Sequence, residues 1–204
     1  MKKHRTKVPW LFLPAALFLL LAAPFLIAQS EKAGPPPAEP KKPTRAPDVV
    51  FGATPDEAIE QILRMAQLKP GDVVYDLGCG DGRILVTAAK KYGVKGVGVD
   101  IDPLRVKESI ENVRTNKLDH LITIKEADMF TVDISQATVL ILYLGPHMNL
   151  KLLPQINQMK PGSRVFSFDF DTPGVKPTEV LRGTRLDNGH EFTIYQYAVP
   201  LTRR

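Results

Sequence analysis

Apolar and polar residues alternate along most of the chain in two periods, and the switches between them mark the elements. From residue 54 onward, Thr54-Pro55-Asp56-Glu57 reads as a helix start, with Thr54 as cap, Pro55 in the first turn and Glu57 completing a capping box. Ala58, Ile59, Ile62, Leu63 and Ala66 then recur at helical spacing until Lys69-Pro70-Gly71-Asp72 stops the run. Val73 to Leu77 is a short continuous apolar strand, and a helix follows from about Arg83. The alternation goes on with strand Gly96–Ile101, helix Pro103–Asn116, strand Leu121–Glu126, a short irregular or helical stretch, strand Thr138–Leu144, helix Asn149–Met159 and strand Arg164–Phe170. Asp102 before Pro103 is placed to cap the third of these helices. The last two apolar runs, Glu179–Leu186 and Glu191–Val199, flank Asp187-Asn188-Gly189, a hairpin signal. Strands that alternate with helices pair in parallel, so the pattern predicts an α/β, doubly wound, mostly parallel sheet of seven strands closed by one C-terminal antiparallel hairpin.

The first 47 residues belong to a different regime. Val8 to Ala28 is an uncharged apolar run of 21 residues behind Lys2, Lys3, Arg5 and Lys7. It predicts an N-terminal apolar helix that is either a cleaved signal, with Ala28-Gln29-Ser30 as the cleavage site, or an uncleaved membrane anchor. A buried core helix is the third reading, and Pro14 and Pro24 count against it. Residues 31–47 hold six prolines and no large apolar side chain, which makes them a semi-extended linker. The expected organisation is therefore 1–30 signal or anchor, 31–47 linker and 48–204 a single folded domain. The excess of base before the apolar run favours a cytoplasmic N-terminus and an exported or membrane-tethered domain on the outer side. The opposite arrangement, an anchored domain facing the cytoplasm, would suit a cofactor made there.

Charge bears on partners only after it is placed. The chain has 204 residues and a net charge of +5, yet 8 of its 27 basic residues fall before residue 48, leaving 19 bases against 20 acids in the domain. A global basic field is thus no route to nucleic acid, and no nucleic-acid partner is expected. One cysteine excludes an intrachain disulfide, and four scattered histidines give no zinc-type cluster, so no metal is expected.

The chemistry concentrates in Asp76-Leu77-Gly78-Cys79-Gly80-Asp81-Gly82, between a buried strand and a helix. Glycines there permit positive φ and close approach of a ligand, and the helix start offers free N–H groups. A dinucleotide loop would carry its third small residue where Arg83 stands; here Gly82 comes one position early, and a carboxylate precedes the first glycine by two. Asp100 ends the next strand, 20 residues after Gly80, where it can accept both hydroxyls of a ribose. Asp128 falls just past the third strand. Cys79 reads as a small residue for a tight loop, since no histidine is near it in sequence.

Asp-x-Gly-x-Gly-x-Gly with Asp100 resembles motif I of class I S-adenosylmethionine-dependent methyltransferases. Phe51-Gly-Ala-Thr-Pro-Asp-Glu, Tyr143-Leu-Gly-Pro-His-Met and Lys160-Pro-Gly-Ser-Arg-Val-Phe-Ser are similar to a bacterial group of small methyltransferases with signal-like N-termini. More distantly, they resemble the mitochondrial lysine methyltransferases of the ATP synthase c-subunit and the ADP/ATP translocase. The resemblance implies a Rossmann-like methyltransferase fold, S-adenosyl-L-methionine as cofactor and N-methylation of protein lysine as the reaction. It implies cofactor contacts from Thr54, Asp76, Gly78, Cys79, Gly80, Gly82, Asp100, Ile101, Asp128 and Met129, with Asp128 near the adenine amino group. Other readings are a non-catalytic module that binds the cofactor or its demethylated product, a methyltransferase of small molecules, and a nicotinamide enzyme. Tyr143 and His147 follow the fourth strand and are the candidate catalytic groups, although His147 also fits a rim position without a role. Asp169 and Asp171 could orient a cationic acceptor or merely cap a strand end. The Asn/Asp-Pro-Pro-Tyr/Phe box of many nucleobase methyltransferases is absent after the fourth strand, and no insertion long enough for a lid is present. An open site suits a protrusion of a macromolecule, which makes a protein the expected partner, along with a membrane if the apolar segment is retained.

Overall fold

The computed structural model describes Ala46 and residues 51–204; the apolar segment and, apart from Ala46, the proline-rich linker lie outside the described residues. The chain forms α1 (Asp56–Ala66), β1 (Val73–Leu77), α2 (Arg83–Tyr92), β2 (Lys95–Asp100), α3 (Pro103–Thr115), β3 (Ile122–Glu126), a 3₁₀ turn at Met129–Thr131, β4 (Val139–Leu142), α4 (Pro146–Ile156), β5 (Arg164–Phe168), β6 (Glu179–Thr184) and β7 (Glu191–Ala198). The seven strands make one sheet in the order β3-β2-β1-β4-β5-β7-β6. Strands β1 to β5 pair in parallel, and β7 enters antiparallel between β5 and β6. This is the doubly wound, Rossmann-like arrangement expected from the alternation of elements. Strand order reverses between β1 and β4, so the loops after those two strands flank the switch point where open α/β sheets bind ligands.

The period of two along the central strands divides the core between the two faces. Val74, Val139, Ile141, Phe166, Phe168 and Ile194 pack with the apolar stripes of α1 and α2 on one face. Their neighbours Tyr75, Leu77, Leu140, Leu142, Val165 and Tyr197 pack with Met148, Leu152 and Ile156 of α4 on the other. Every residue of β4 is buried, as a central parallel strand covered on both sides requires.

Several strands end one or two residues short of the sequence reading, and three other differences have an identifiable cause. Thr54 does not cap α1: Pro55 takes that place, its carbonyl accepts from Ala58 and Ile59, and Glu57 turns away to accept the Leu186 N–H at 2.6 Å. Helix α4 starts at Pro146 and not at Asn149, because the fixed φ of proline suits a first helical position. The hairpin loop is also longer than a two-residue turn. The ladder continues through Arg185 N–H to His190 C=O, and Gly189, at φ +72°, closes a turn back to Arg185. Asp102 caps α3 as expected, accepting from Leu104 N–H at 2.9 Å.

The buried Asp72 carboxylate locks the lower end of the sheet. It accepts from Arg164 at 2.6 Å, from Thr138 Oγ1 at 2.7 Å and from Lys69 N–H at 3.0 Å, while the Arg164 guanidinium also reaches the Ala66 carbonyl at the end of α1. Burial pushes this carboxyl up; the bonds from Arg164, Thr138 and Lys69 outweigh it and leave it below its ordinary range. The pair's stabilisation is therefore present at neutral pH and is lost as pH falls through that depressed value. Asp72→Ala strands a guanidinium that is only 19% exposed and should cost about 3 kcal/mol, measured by urea denaturation at pH 7.

Candidate active site

The glycine loop is shaped by three left-handed residues and by carbonyls of the neighbouring strand. Gly78 and Cys79 donate to the Val99 carbonyl at 2.8 and 3.0 Å, which pins the loop against the end of β2. Gly80, at φ +53°, turns its N–H onto Asp100 Oδ2 at 2.9 Å. A Cβ at Gly80 would stand 2.2 Å from the Phe51 ring, so glycine is required by conformation and by the segment that lies over it. Gly82, at φ +74°, lets α2 begin directly and approach Ser109 of α3, 3.1 Å from where a Cβ would be. Arg83 folds back onto Asp81 through a forked pair at 2.6 to 3.0 Å.

Above this loop lies an open cavity of about 400 Å³, between the ends of β1, β2 and β4 and the strap Phe51-Gly52-Ala53-Thr54. Its wall includes Thr54, Asp76, Gly78, Cys79, Asp100, Ile101, Met129 and Tyr143 from the sequence candidates. Gly80 and Gly82 do not line it; they form the loop from behind.

Two further candidates are elsewhere. The Asp128 carboxylate turns back to cap the 3₁₀ turn, accepting from Phe130 N–H at 3.0 Å, and the wall there is made by Ala127 and Met129. His147 sits exposed in the first turn of α4, because that helix begins one residue before it, and it does not line the cavity. The catalytic role considered for it is not supported by this placement. Asp169 and Asp171 are also engaged. Asp169 binds Arg185 at 2.7 Å and Thr193 N–H at 3.0 Å, and Asp171 binds the Tyr197 hydroxyl at 2.7 Å and Arg204 at 2.6 Å. Of the residues that sequence reasoning gave no cavity role, Phe51, Asp102 and Arg105 line the cavity. The Arg105 guanidinium stacks 4.5 Å from the Phe51 ring centroid, a contact no local pattern announces.

The electrostatics of the cavity floor are unusual. Asp76, on β1, is 3% exposed, and its Oδ2 has no hydrogen-bond partner. Burial, with the nearby charges of Asp100 and Asp81, pushes its carboxyl up to about 8. Asp100 is raised too, first by burial, against the N–H bonds from Asp102 and Gly80 that favour its charged form. The same burial, with Asp76 and Asp100 beside it, pushes the Cys79 thiol well above its ordinary value and leaves it a packing residue. An orphaned carboxylate oxygen at the floor is suited to a cation, and Asp100 beside apolar Ile101 and Met129 is suited to a sugar with an attached flat ring.

The sequence profile of the ANTKMT methyltransferase domain matches residues 76–179. The chain belongs to this methyltransferase family. It is 39% identical over 155 residues to a protein-lysine N-methyltransferase of Saccharolobus islandicus, covering 75% of this chain and 95% of that protein. It is 33% identical to a ribosomal protein L11 methyltransferase of Caldanaerobacter subterraneus, over 54% of this chain and 36% of that longer protein. Among solved structures, an RNA methyltransferase from Salinibacter ruber in complex with S-adenosyl-L-homocysteine superposes with a TM-score of 0.67 at 38% identity, covering 72% of this chain and 94% of that one. A methyltransferase from Geobacter sulfurreducens bound to the same product shares the fold at 14% identity, with a TM-score of 0.58 over 73% of this chain and 91% of that one. The protein is an S-adenosylmethionine-dependent methyltransferase, and S-adenosyl-L-methionine is its cofactor. The residues present fit that molecule: it carries an α-ammonium group, a ribose and an adenine, and the cavity offers the unpaired Asp76, the Asp100 carboxylate and an apolar wall at Ile101 and Met129.

A carboxyl raised from about 4 to about 8 on folding makes the ligand-free domain lose stability as pH climbs through that window, because the unfolded chain ionises there while burial keeps the folded carboxyl protonated. Asp76→Asn should flatten this loss in thermal melts taken between pH 5 and 8.5. It should also weaken S-adenosylhomocysteine binding; the parent protein should release a proton on binding at pH 7, read by calorimetry in buffers of different ionisation enthalpy, and the variant should not.

Proposed function

We propose that this methyltransferase transfers methyl groups to lysine side chains of a protein. The observation that carries the reading is the 39% identity to a protein-lysine N-methyltransferase across 95% of that protein's length, which leaves almost none of that enzyme without a counterpart here. The shape of the cavity agrees with it, because a cavity that is open to solvent and lined by Tyr143 admits a side chain protruding from a larger molecule.

In this reading Asp76 receives the α-ammonium of the cofactor, the loop Gly78–Gly82 accommodates its methionine end, and Asp100 accepts from the ribose hydroxyls. Thr54 and Cys79 pack against it, and Ile101 and Met129 flank the adenine. When bound, S-adenosylmethionine supplies an electrophilic methyl group, so the chain's task is to align an acceptor and to receive it as a free amine. A lysine ammonium in water gives up its proton only near pH ~10.4, and the apolar wall formed by Phe51, Leu144 and Tyr143 favours the neutral form by desolvation. Asp100 works twice: its two oxygens hold Gly80 and Asp102 N–H groups and keep remaining lone pairs for the ribose. Asp100→Ala should therefore weaken S-adenosylhomocysteine binding by about a hundred-fold or more in calorimetry, two bonds to a charged group being lost at about 1.5–3 kcal/mol each.

The 38% identity to an RNA methyltransferase supports a second reading, an RNA acceptor. The near-balance of charge in residues 48–204 speaks for protein. Tritiated methyl donor incubated with bacterial extract and the purified domain separates the two. Label that survives nuclease, is released by protease and co-migrates with methyl-lysine after acid hydrolysis is expected; label destroyed by nuclease would move the acceptor to RNA.

We further propose an exported or membrane-tethered domain on the outer side, from the four basic residues ahead of the apolar run and the Ala28-Gln29-Ser30 site. A fusion to alkaline phosphatase after Pro47 should be active. A silent fusion, with a cytoplasmic reporter active at the same point, would place the domain on the cytoplasmic side.

A further inference from the structure

The strap over the cavity is buried at one end and open at the other. Thr54 is buried, whereas Phe51, three residues earlier, is 42% exposed. A ring so open to solvent is no core residue, and its place depends on the contacts it makes at the cavity. On one side it lies on the glycine loop, so close that a Cβ on Gly80 would stand 2.2 Å from it. On the other, the guanidinium of Arg105, in the first turn of α3, is 4.5 Å from the ring centroid. Arg105 is itself held by Glu108, one turn further along the helix, at 2.6 Å, and its side chain is only 22% exposed. Both Phe51 and Arg105 line the cavity. The loop and the helix start that they rest on are the same two elements that Asp100 ties together, through Gly80 N–H at 2.9 Å and Asp102 N–H at 3.0 Å. The strap is thus pinned across the very junction that carries the carboxylate suited to the ribose.

We propose that Arg105 is a positioning residue for the donor: held by Glu108, it keeps the Phe51 ring at the donor side of the cavity and so sets how long S-adenosylmethionine or its product stays bound. An aromatic ring offers a negative face to a guanidinium, and the attraction grows where water is excluded. A ligand held by Asp76 and Asp100 shares its cavity wall with the strap, and it leaves more slowly while Phe51 stays in place. The effect falls on release more than on entry, because the cavity is open to solvent and a ligand need not wait for the strap. Arg105 acts through Phe51 and not on the ligand, since its charge is already paired with Glu108 and its flat face with the ring. The inference concerns the donor alone, so it holds whether the methyl group goes to protein or to RNA.

Dissociation of S-adenosylhomocysteine from the immobilised full chain, kept in detergent and followed by surface plasmon resonance, tests the proposal, with calorimetry and a thermal melt for every variant. Arg105→Gln should speed dissociation about five-fold and leave association within about two-fold, the size expected when one partly screened cation–π contact is lost. Arg105→Lys keeps a cation at the ring and should recover part of the slow release. Phe51→Leu should release the ligand as fast as Arg105→Gln does, and adding the second substitution to the first should change nothing further. Should Arg105→Gln fail to fold, Arg105→Met keeps the apolar stem, removes the charge and takes its place in the same cycle. Unchanged dissociation in either single variant would reduce the pair to a surface contact and overturn the proposal. A loss that persists in full in the Phe51→Leu background would make Arg105 a direct ligand of the donor, and would overturn it too. A parent protein that binds no S-adenosylhomocysteine would contradict the cofactor itself, and that result comes before any variant is made.

Discussion

One buried carboxyl with an unsatisfied oxygen constrains the rest of this domain. Asp76 sits at the centre of the sheet with an oxygen that no protein group satisfies, and burying such a group costs free energy that the fold must recover elsewhere. The recovery is visible around it. The two apolar faces close over β1 and β4 from both sides, and Asp72, Arg164 and Thr138 tie the far end of the same strands. Rigidity at one end of the strands lets the other end remain electrostatically unfinished until a cation arrives. A softer scaffold would relax by turning Asp76 to water.

The second carboxylate illustrates economy of a different kind. Asp100 holds the glycine loop through Gly80 and the start of α3 through Asp102, so the group suited to the ribose also fixes the elements around it. Ligand site and loop geometry therefore cannot vary independently. This explains why three residues in seven are glycine there: with Phe51 over Gly80 and Ser109 against Gly82, neither the backbone nor its surroundings leaves room for a side chain.

What the sequence could reveal followed from how local each cause was. The seven strands, the parallel core and the terminal hairpin were legible because hydrophobic period and turn residues act within a few positions. Motif I was legible because its glycines and Asp76 are contiguous. Where the structure departs from the reading, the cause is either a distant partner or a neighbouring turn or proline. Glu57 suits a capping box until Leu186, far along the chain, offers it a better donor. Asp128 turns one oxygen to its own 3₁₀ turn, and the cavity wall beside it is made by Ala127 and Met129. His147 was judged by its place after a strand, whereas Pro146 had already begun the helix that carries it to solvent. Arg105 and Arg185 gave no signal at all, since their partners, Phe51 and Asp169, meet them only in the folded chain.

The acceptor side is built differently from the cofactor side, and the difference bears on how such a family diversifies. Donor-side groups come from strand ends and the loop directly behind β1, where a shift of one residue would reverse a side chain across the sheet. Tyr143 is also near a strand end, and its ring packs on Phe168 at the end of β5 and on Phe170 beyond it, with Arg185 of the β6–β7 hairpin loop beside the same Phe168 ring. Asp169 there adopts φ +60°, a left-handed conformation that Asp tolerates better than most residues. Hairpin loops accept changes of length and sequence that parallel strands do not. A domain of this kind can hold its donor chemistry constant while the hairpin alters what stands beside Tyr143. Relatives that share the sheet can then differ in acceptor, as the protein-lysine and RNA methyltransferases similar to this chain do by their names.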